Sequence, residues 1–494
     1  INGIAYHSNK VNKEDIFVCI KGYETDGHKY LKNAVEAGCT SAIVENFLDI
    51  DIPQYKVENS RIALASLACK FFENPSEKMN VIGITATNGK TTTSFMLNEI
   101  FEKHKLKTGL IGTVVVKIDD YKEISFLTTP ESLDLQNFFD KMIKADVSHV
   151  TMEVSSSSIE LNRIYGVDFD IAALNNISRE HIDSHGSFEN YYNFKASLIT
   201  NLKPEGVAVL NLDDDYSKRL IDKTKAKTIT YGVEDSSGDL SITDLDLSTG
   251  RAKFTVQLND SSFKNYKDRS FDIALSIPGY HCVYNSLSAI SIALISDIPI
   301  KTIQEGINSF KGIERRFEFI YEDDFKIIDD HFANTGNINV TLETLDFMDY
   351  NNLDLVYAIR GSRGVTVNKE NAETIVKWAK KLGLTEIIAT TSNSHVTKKD
   401  IVTNDELEIF LSVMKEANIK VHLFNELPDA IDSALNEAKK GDVILLAGCQ
   451  GMDFGCNIAI NSLEKLRPNL DKKHLREPLK YRVAGLLEGN NFES

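Results

Sequence analysis

The sequence predicts an α/β protein of three domains, with a central P-loop parallel-sheet domain and a C-terminal domain of dinucleotide-fold type. Three observations predict it. The chain has 494 residues, and at roughly 150 residues per domain that is room for about three. Short apolar runs alternate with stretches of helical periodicity, the pattern of parallel strands covered by helices on both faces. One strand-to-helix junction, Gly83 to Thr93, carries a glycine turn followed by Lys90 and Thr91.

The first segment, residues 1–78, reads as a small α/β unit. DIFVCIKG is a strand, TDGHKYLKNAVEAG a helix closed by Gly38, TSAIVE a strand and RIALASLACKFF a helix. NPSEKMN, polar and with a proline, reads as a linker. The second segment, residues 79–314, opens with the strand NVIGIT and the helix TTTSFMLNEIFEKH. GLIGTVVV, HVTMEV, FDIAALNNI, GVAVLNLDD and KTITYG are further strands, and LDLQNFFDKMIKA is a helix. FTVQL and FDIALSI fit an antiparallel addition. The third segment, residues 315–460, holds five strand candidates: FKIIDD, DLVYAIRG, EIIATTS, KVHLF and DVILLAG. Helical stretches lie between them, which predicts a second doubly wound sheet. Residues 461–494 read as a peripheral tail.

Lys+Arg number 55 and Asp+Glu 72, a net charge of −17. That balance argues against coating by nucleic acid and leaves room for a local basic pocket. No stretch approaches the roughly 18 apolar residues of a membrane span, and INGIAYHSNK lacks the pattern of a secretion signal. The six cysteines have no C-x-x-C spacing, so buried, inert thiols are expected. The expectation is a reduced, cytoplasmic monomer without nucleic-acid or membrane partners.

GITATNGKTTT, Gly83 to Thr93, is the strongest local signal. Backbone N–H groups of such a turn and of the helix start bind phosphate oxygens. Gly89 lets the backbone approach, Lys90 supplies a point charge, and Thr91 offers a hydroxyl to Mg²⁺. The spacing departs from G-x-x-x-x-G-K-[ST], because Gly83 is one residue early. The blander reading is a glycine turn with a chance Lys-Thr.

The loop resembles the shorter TGT-x-GKT form of the Mur ligases, which add amino acids to a cell-wall nucleotide precursor; Ala86 replaces its glycine. Further segments fall in the family's order. TTPESLDL resembles the TTP segment of the tripeptide-forming branch, and MEVSSSSIELNRI its E-x-SS segment, with Ser157 where histidine is usual. NNISREHIDSHGSFENYYNFKASL resembles the TN-x-S-x-DH-x-D-x-H-G run and the helix after it. IPGYHCVYNSLSAI is similar to the helix start near the adenine, and IERRFEF to the G-R-x-E hinge, with Arg315 in the glycine's place.

The resemblance implies ATP at Thr87, Asn88, Gly89, Lys90, Thr91 and Thr92, with Asn176, Asn285, Arg316 and Asp330 completing its site and Asp329 the fallback for Asp330. It implies two Mg²⁺ ions held by Thr91, Glu153, His181 and Lys195, the lysine N6-carboxylated by CO₂. Lys90, Lys195, His181 and Glu153 would carry the catalysis. Ser8, Thr128, Thr129, Ser155 and Arg163 would bind a UDP-muramoyl peptide. The domains would then bind the UDP precursor, ATP and an amino acid in that order. The implied reaction is amide-bond formation through an acyl phosphate.

The third segment departs from the family. DYAH-(N/T)-P reads DHFANT, G-G-D-R-D-K reads RGSRG, DNP-x reads TSNSHVTKK and AGKGHE reads AGCQGMD. RGSRG offers a second candidate anion site, with Arg360 and Arg363 flanking glycines before a helix. Two other readings stay open: a paralogue acting on a different carboxylate, and a nucleotide-binding homologue without ligation.

Overall fold

Among the described residues three separate sheets form, of four, eleven and six strands. The structure, a computed structural model, describes residues 2–22, 25–178, 187–247, 251–259, 263–480, 482 and 484–485. By contacts the chain divides into one unit of residues 1–243, 255–273 and 284–309 and a second of residues 244–254, 274–283 and 310–494.

The four-stranded sheet is parallel throughout, in the order β1 (Ile4–Ala5), β2 (Ile16–Val18), β3 (Ser41–Val44) and β4 (Gln54–Lys56). The expected first helix starts as a 3-10 turn, Gly27–Tyr30, and is α-helical only over α1 (Leu31–Glu36). The Asp26 side chain accepts from His28 N at 3.0 Å and so caps the turn. Asn59 caps α2 (Ser60–Phe71), which buries Leu64, Ala65 and Ala68. NPSEKMN is no loose linker. Pro75–Lys78 is a 3-10 turn with Pro75 and Ser76 buried, and Ser76 Oγ accepts from Asp168 N at 3.1 Å.

In the eleven-stranded sheet, β5 (Asn80–Thr85) leads to α3 (Lys90–Lys103), and β6 (Thr108–Ile111), β7 (Val115–Ile118) and β8 (Tyr121–Ile124) follow. Next come α4 (Ser132–Lys144), β9 (His149–Glu153), α5 (Ser156–Glu160), β10 (Ile171–Leu174) and α6 (Phe188–Thr200). After them are β11 (Val207–Asn211), α7 (Asp215–Lys218), β12 (Lys227–Tyr231), β13 (Leu240–Asp246), β14 (Arg251–Leu258) and β15 (Ser270–Pro278). Helices α8 (Tyr280–Ile295) and α9 (Ile300–Ser309) end the segment. The order is β15-β14-β13-β12-β11-β10-β5-β9-β6-β7-β8. Strands β12 through β6 in that order form a parallel core, with β5 near its centre.

GLIGTVVV, expected as one strand, is two. β6 and β7 are antiparallel and the chain turns between them. The turn wraps a carboxylate: Thr113 N donates to Glu153 Oε1 at 2.9 Å, and a Cβ on Gly112 would lie 2.3 Å from that oxygen. β13 escapes the sequence reading because LSITDLD has little apolar content and pairs with β12 only at Tyr231 and Leu240.

The second unit contains β16 (Glu318–Glu322), β17 (Lys326–Asp330), α10 (Thr335–Asp346), β18 (Leu353–Ala358), α11 (Val365–Leu382) and β19 (Glu386–Thr390). Then come α12 (Asn404–Glu416), β20 (Lys420–Phe424), α13 (Leu427–Glu437), β21 (Val443–Gly448), α14 (Gly455–Leu466) and α15 (Lys472–Leu475). All five expected strands are present and parallel, in the order β17-β21-β18-β19-β20, with β16 added antiparallel at the edge. One core holds the inner faces of α10, α11 and α12, the other those of α13 and α14. The tail reading is corrected in its described part. α14 runs through residue 460 to Leu466 with Leu463 buried, and Arg482 is buried as well. All six cysteines are free and buried, and among the described residues no helix is long and apolar enough to cross a membrane.

Glu131 ties α2 to the loop after α5. Arg61 Nη1 donates to its Oε2 at 2.9 Å and Arg163 Nε to its Oε1 at 3.0 Å. All three side chains are about one-tenth exposed. Glu131→Ala leaves two largely buried guanidinium groups without their acid, at a cost of about 2–3 kcal/mol. A thermal melt is expected to shift down by several degrees; an unchanged midpoint would show that the cluster carries no stability.

Candidate active site

Strand β5 lies between β9 and β10, so its C-terminal end opens beside theirs. The chain turns there and starts α3 at Lys90. Gly89 takes φ +88°, a left-handed conformation that glycine adopts without strain. A Cβ at Gly89 would lie 2.1 Å from Asn285 Oδ1. Gly83 is needed for packing and not for the turn, since it sits inside β5, where a Cβ would meet the Phe169 ring at 2.7 Å. Ala86 keeps a negative φ, so its methyl group does not obstruct the turn, and its side chain is fully buried.

Asparagines hold the loop. Asn88 N donates to Asn176 Oδ1 at 3.0 Å, Asn176 Nδ2 to Asn88 O at 2.9 Å, and Thr87 N to Asn176 O at 2.9 Å. Asn175, which the sequence reading does not single out, donates from Nδ2 to Thr93 Oγ1 at 2.9 Å and accepts from Ser288 Oγ at 2.8 Å. Among the described residues Asn285 Nδ2 is buried without a hydrogen-bond partner. A buried orphan donor beside Gly89 fits a nucleotide acceptor.

Two expected lysines meet at one oxygen. Lys90 Nζ donates to Ala86 O at 2.8 Å and to Thr87 O at 3.2 Å. Lys195 Nζ donates to Ala86 O at 2.8 Å and to Thr85 Oγ1 at 3.2 Å. Lys195 is 2% exposed and lies 5.0 Å from the centre of the Tyr191 ring, one helical turn earlier on α6. Tyr191 OH is 3.0 Å from Thr87 Oγ1. The sequence reading misses Tyr191, and its i, i+4 spacing to Lys195 is the signal that could have found it.

Glu153 ends β9 and is fully buried. Its Oε2 accepts from Thr91 Oγ1 at 2.9 Å and from Thr113 Oγ1 at 3.0 Å. Hydroxyl and carboxylate oxygens this close are the donor set of a hard divalent cation. Among the described residues no group of three or more His, Cys, Asp or Glu gathers as a metal site. His181 lies in residues 179–186, outside the described residues.

The expected precursor residues fall into two groups. Thr129 Oγ1 donates to Glu153 O at 2.8 Å and accepts from Ser155 N at 3.1 Å, which fixes the start of α5, where Ser155 is the cap. Thr128 Oγ1 is 3.1 Å from Thr113 Oγ1, beside the Glu153 carboxylate. Arg163 is engaged with Glu131 and with Thr129 O at 3.2 Å. Ser8 starts the 3-10 turn Ser8–Lys10, two residues after Tyr6, whose hydroxyl donates to Asp134. Thr92 is partly exposed in the first turn of α3.

In the second unit, Asp330 accepts from Thr341 Oγ1 at 2.8 Å and from Phe317 N at 2.6 Å, and burial pushes its carboxyl up to about 6. Arg316 N donates to Ile313 O at 3.0 Å. Burial, with Arg316, Arg315 and Arg360 nearby, holds His331 well below the usual imidazole range, so it is neutral at physiological pH.

RGSRG is an anion site whose anion is the chain's own. Ser362 N donates to Glu406 Oε2 at 3.0 Å, and Arg363 N and Gly364 N donate to Oε1 at 2.8 and 2.7 Å. Glu406 also closes the capping box of α12 with Thr403. Arg363 pairs with Asp400 at 3.2 Å. Of the two arginines expected to receive an anion here, Arg363 is therefore taken by Asp400, while Arg360 donates to Ala333 O and, among the described residues, has no partner at its buried Nε.

Gly89→Ala adds a methyl group at a left-handed backbone position already filled by Asn285. Titration calorimetry is expected to show ADP affinity falling by more than about tenfold; wild-type affinity would mean the turn does not need this geometry.

Three family models cover the chain: the Mur ligase family catalytic domain at residues 1–83, the Mur ligase middle domain at residues 84–293, and the Mur ligase glutamate ligase domain at residues 315–450. A UDP-N-acetylmuramoyl-L-alanyl-D-glutamate–2,6-diaminopimelate ligase of Clostridium botulinum is 36% identical over 92% of this chain and 91% of its own. The enzyme of that name from Bacillus licheniformis is 34% identical over 91% and 89%. A solved structure of such a ligase matches with a TM-score of 0.65 at 23% identity, covering 90% of this chain and 89% of its own. The MurF ligase of Thermotoga maritima in complex with ADP has the same fold, with a TM-score of 0.65 at 20% identity over 94% and 97%. With its β5 turn, its Thr91–Glu153 contact and these matches along nearly its whole length, the chain belongs to the Mur ligase family.

Proposed function

We propose that this chain is an ATP-dependent acid–amino-acid ligase that adds an amino acid to the carboxylate of a UDP-N-acetylmuramoyl peptide, in peptidoglycan precursor synthesis. The observation that carries the reading is the turn after β5, with Lys90, Lys195, Thr91 and Glu153 gathered around it, in a chain 36% identical to a ligase with that acceptor in its name. Residues 1–78 would bind the UDP precursor, 79–314 ATP, and 315–460 the amino acid. The enzyme would act as a cytoplasmic monomer on small molecules.

In the first step a substrate carboxylate oxygen attacks the γ-phosphorus of ATP. The bond from that phosphorus to the β–γ bridging oxygen breaks and ADP leaves. The amine then attacks the acyl carbon, the carbon–oxygen bond to phosphate breaks, and the nitrogen loses a proton as the amide forms. The amides of Gly89 to Thr92 cradle the phosphates, while Thr87 and Asn88, whose amides are bonded to Asn176, are assigned to ATP by resemblance; Lys90 turns from the carbonyl of Ala86 to the phosphoryl oxygens. Asn176 holds the loop, and Asn285 offers its unpartnered Nδ2 to the nucleotide. Arg316 and Asp330 are assigned to ATP by resemblance. Thr129, Ser155 and Arg163, with Thr128 and Ser8, are assigned to the precursor.

Thr91 and Glu153, with His181 and an N6-carboxylated Lys195, would hold Mg²⁺, which neutralises charge on the transferred phosphoryl group. Carboxylation of Lys195 replaces an ammonium beside Lys90 with an anion. The incoming amino acid need not be the diaminopimelate of the named relatives. Residues 391–399 lack the arginine of the DNPR motif; there Ser394 donates to Glu426, and His395 packs on Phe454 with ring centres 5.5 Å apart.

Phosphate release is the test, with ATP, Mg²⁺, UDP-N-acetylmuramoyl-L-Ala-D-Glu and a pool of amino acids, the products weighed by mass spectrometry. A product heavier by one amino-acid residue is expected and names the amino acid; no turnover with this acceptor would move the reading to another carboxylate. Lys195→Ala is expected to lower turnover by at least about a hundredfold, with partial recovery on adding a small carboxylate. Full activity of that variant would remove Lys195 from the metal site.

A further inference from the structure

A buried ion network ties the end of the described chain to the segment before β16. The Arg482 side chain is 2% exposed. Its Nη1 donates to Glu318 Oε2 at 2.9 Å, its Nη2 donates to Asp329, and its Nε lies 3.7 Å from the Glu314 carboxylate. Ala484 N donates to Glu314 as well. Arg315 meets the same acids from the other side. Its Nε donates to Asp329 Oδ1 at 3.3 Å, its backbone N to Glu318 Oε2 at 2.9 Å, and its Nη1 to Asp453. The fully buried Asp329 thus divides its two oxygens between two arginines.

The segment that this network grips is strained. Arg315 has φ +57° and Phe317 φ +50°, left-handed conformations at two non-glycine residues on either side of Arg316. Such conformations persist where their surroundings over-determine them. Here Glu318 holds Arg315 N, Asp330 holds Phe317 N, and His331 N donates to Arg315 O at 2.9 Å. Arg482 holds Glu318 and Asp329 in turn. Arg316 and Asp330 are the chain neighbours of Arg315 and Asp329.

We propose that Arg482 is a positioning residue for the nucleotide: through Glu318 and Asp329 it keeps Arg315 to Phe317 in the strained conformation that presents Arg316 and sets Asp330. The proposal rests on the assignment of Arg316 and Asp330 to ATP. Without Arg482 the buried acids share one arginine, and the least costly relief is relaxation of the strained turn. The loss falls first on nucleotide recognition.

The test uses the full chain with Arg482→Ala, Arg482→Lys and, as a control, Arg476→Ala, which breaks only the exposed pair with Glu464. Arg482→Ala is expected to raise the KM for ATP about tenfold while the acceptor KM stays within about twofold of wild type. Millimolar guanidinium ion is expected to bring the ATP KM back down, which a general loss of stability would not allow. Arg482→Lys, with the charge but not the fork, is expected to fall between, and Arg476→Ala to match wild type. A wild-type ATP KM in Arg482→Ala, or equal losses on both substrates that guanidinium does not reverse, overturns the proposal. Should Arg482→Ala be insoluble, Arg482→Lys decides, and a wild-type ATP KM there overturns it too. If the wild-type chain ligates nothing, ADP affinity by calorimetry reads the same contrast, so failure of the ligase reading and failure of the positioning role are separable.

Discussion

Two ammonium groups share one carbonyl oxygen, and the site is arranged around that fact. Lys90 and Lys195 both reach Ala86 O at 2.8 Å, so their nitrogens cannot lie farther apart than twice that distance. At an effective dielectric of about 20, two such charges repel by about 3 kcal/mol. Both lysines have further interactions in the fold, and a triphosphate would add negative charge against this repulsion from outside. Carboxylation of Lys195 would answer it from within, by reversing one of the two signs. The turn must also bring both lysines to a carbonyl that faces inward. Gly89 provides the left-handed step, and Ala86, with ordinary backbone angles, provides the oxygen.

The same chain uses carboxylates as internal anchors for its loops. Glu153 organises the turn between β6 and β7 and also reaches Thr91. Asp213 accepts from Val233 N, Glu234 N and Asp235 N after β12. Glu406 does this for RGSRG, where its backbone bonds hold its carboxyl below the usual range despite burial. A buried carboxylate is costly unless paired or bonded, and a ring of backbone N–H groups offsets much of that cost. The acidic balance of −17 therefore says little about ligands, since some of these acids are structural.

The parallel strands were legible because buried parallel strands are near-continuous apolar runs, as VILLAG and NVIGIT are. β4 was not, being short and at a sheet edge, nor was β13, whose outer half is polar and exposed. The phosphate turn was legible from spacing, since backbone geometry there demands glycine followed by lysine and a hydroxyl. Its supports were not. Thr113 and Asn175 carry no local pattern, and their contacts with Glu153 and Thr93 span 40 and 82 residues. RGSRG shows the limit most clearly. Arginine, glycine and a helix start do make an anion site, but composition cannot tell a ligand from a carboxylate 42 residues later in the same chain.

The C-terminal departures from the family form a connected pattern. Strands β17, β21 and β18 are neighbours, so His331, Cys449 and Arg360 follow the ends of adjacent parallel strands, where open α/β sheets bind ligands. Cys449 Sγ donates to Phe332 O at 3.2 Å, and burial keeps its thiol protonated. Burial and the arginines around it hold His331 neutral. The positive charge of this end therefore rests on arginine. Arg315 is consumed by Asp329 and Asp453, and Arg363 by Asp400. Arg360 donates to Ala333 O, and among the described residues its buried Nε has no partner. A guanidinium held this way presents a fixed fork, where a lysine would offer only a movable point charge. The replacements thus leave this strand end cationic through arginine, with a neutral imidazole and a protonated thiol beside it.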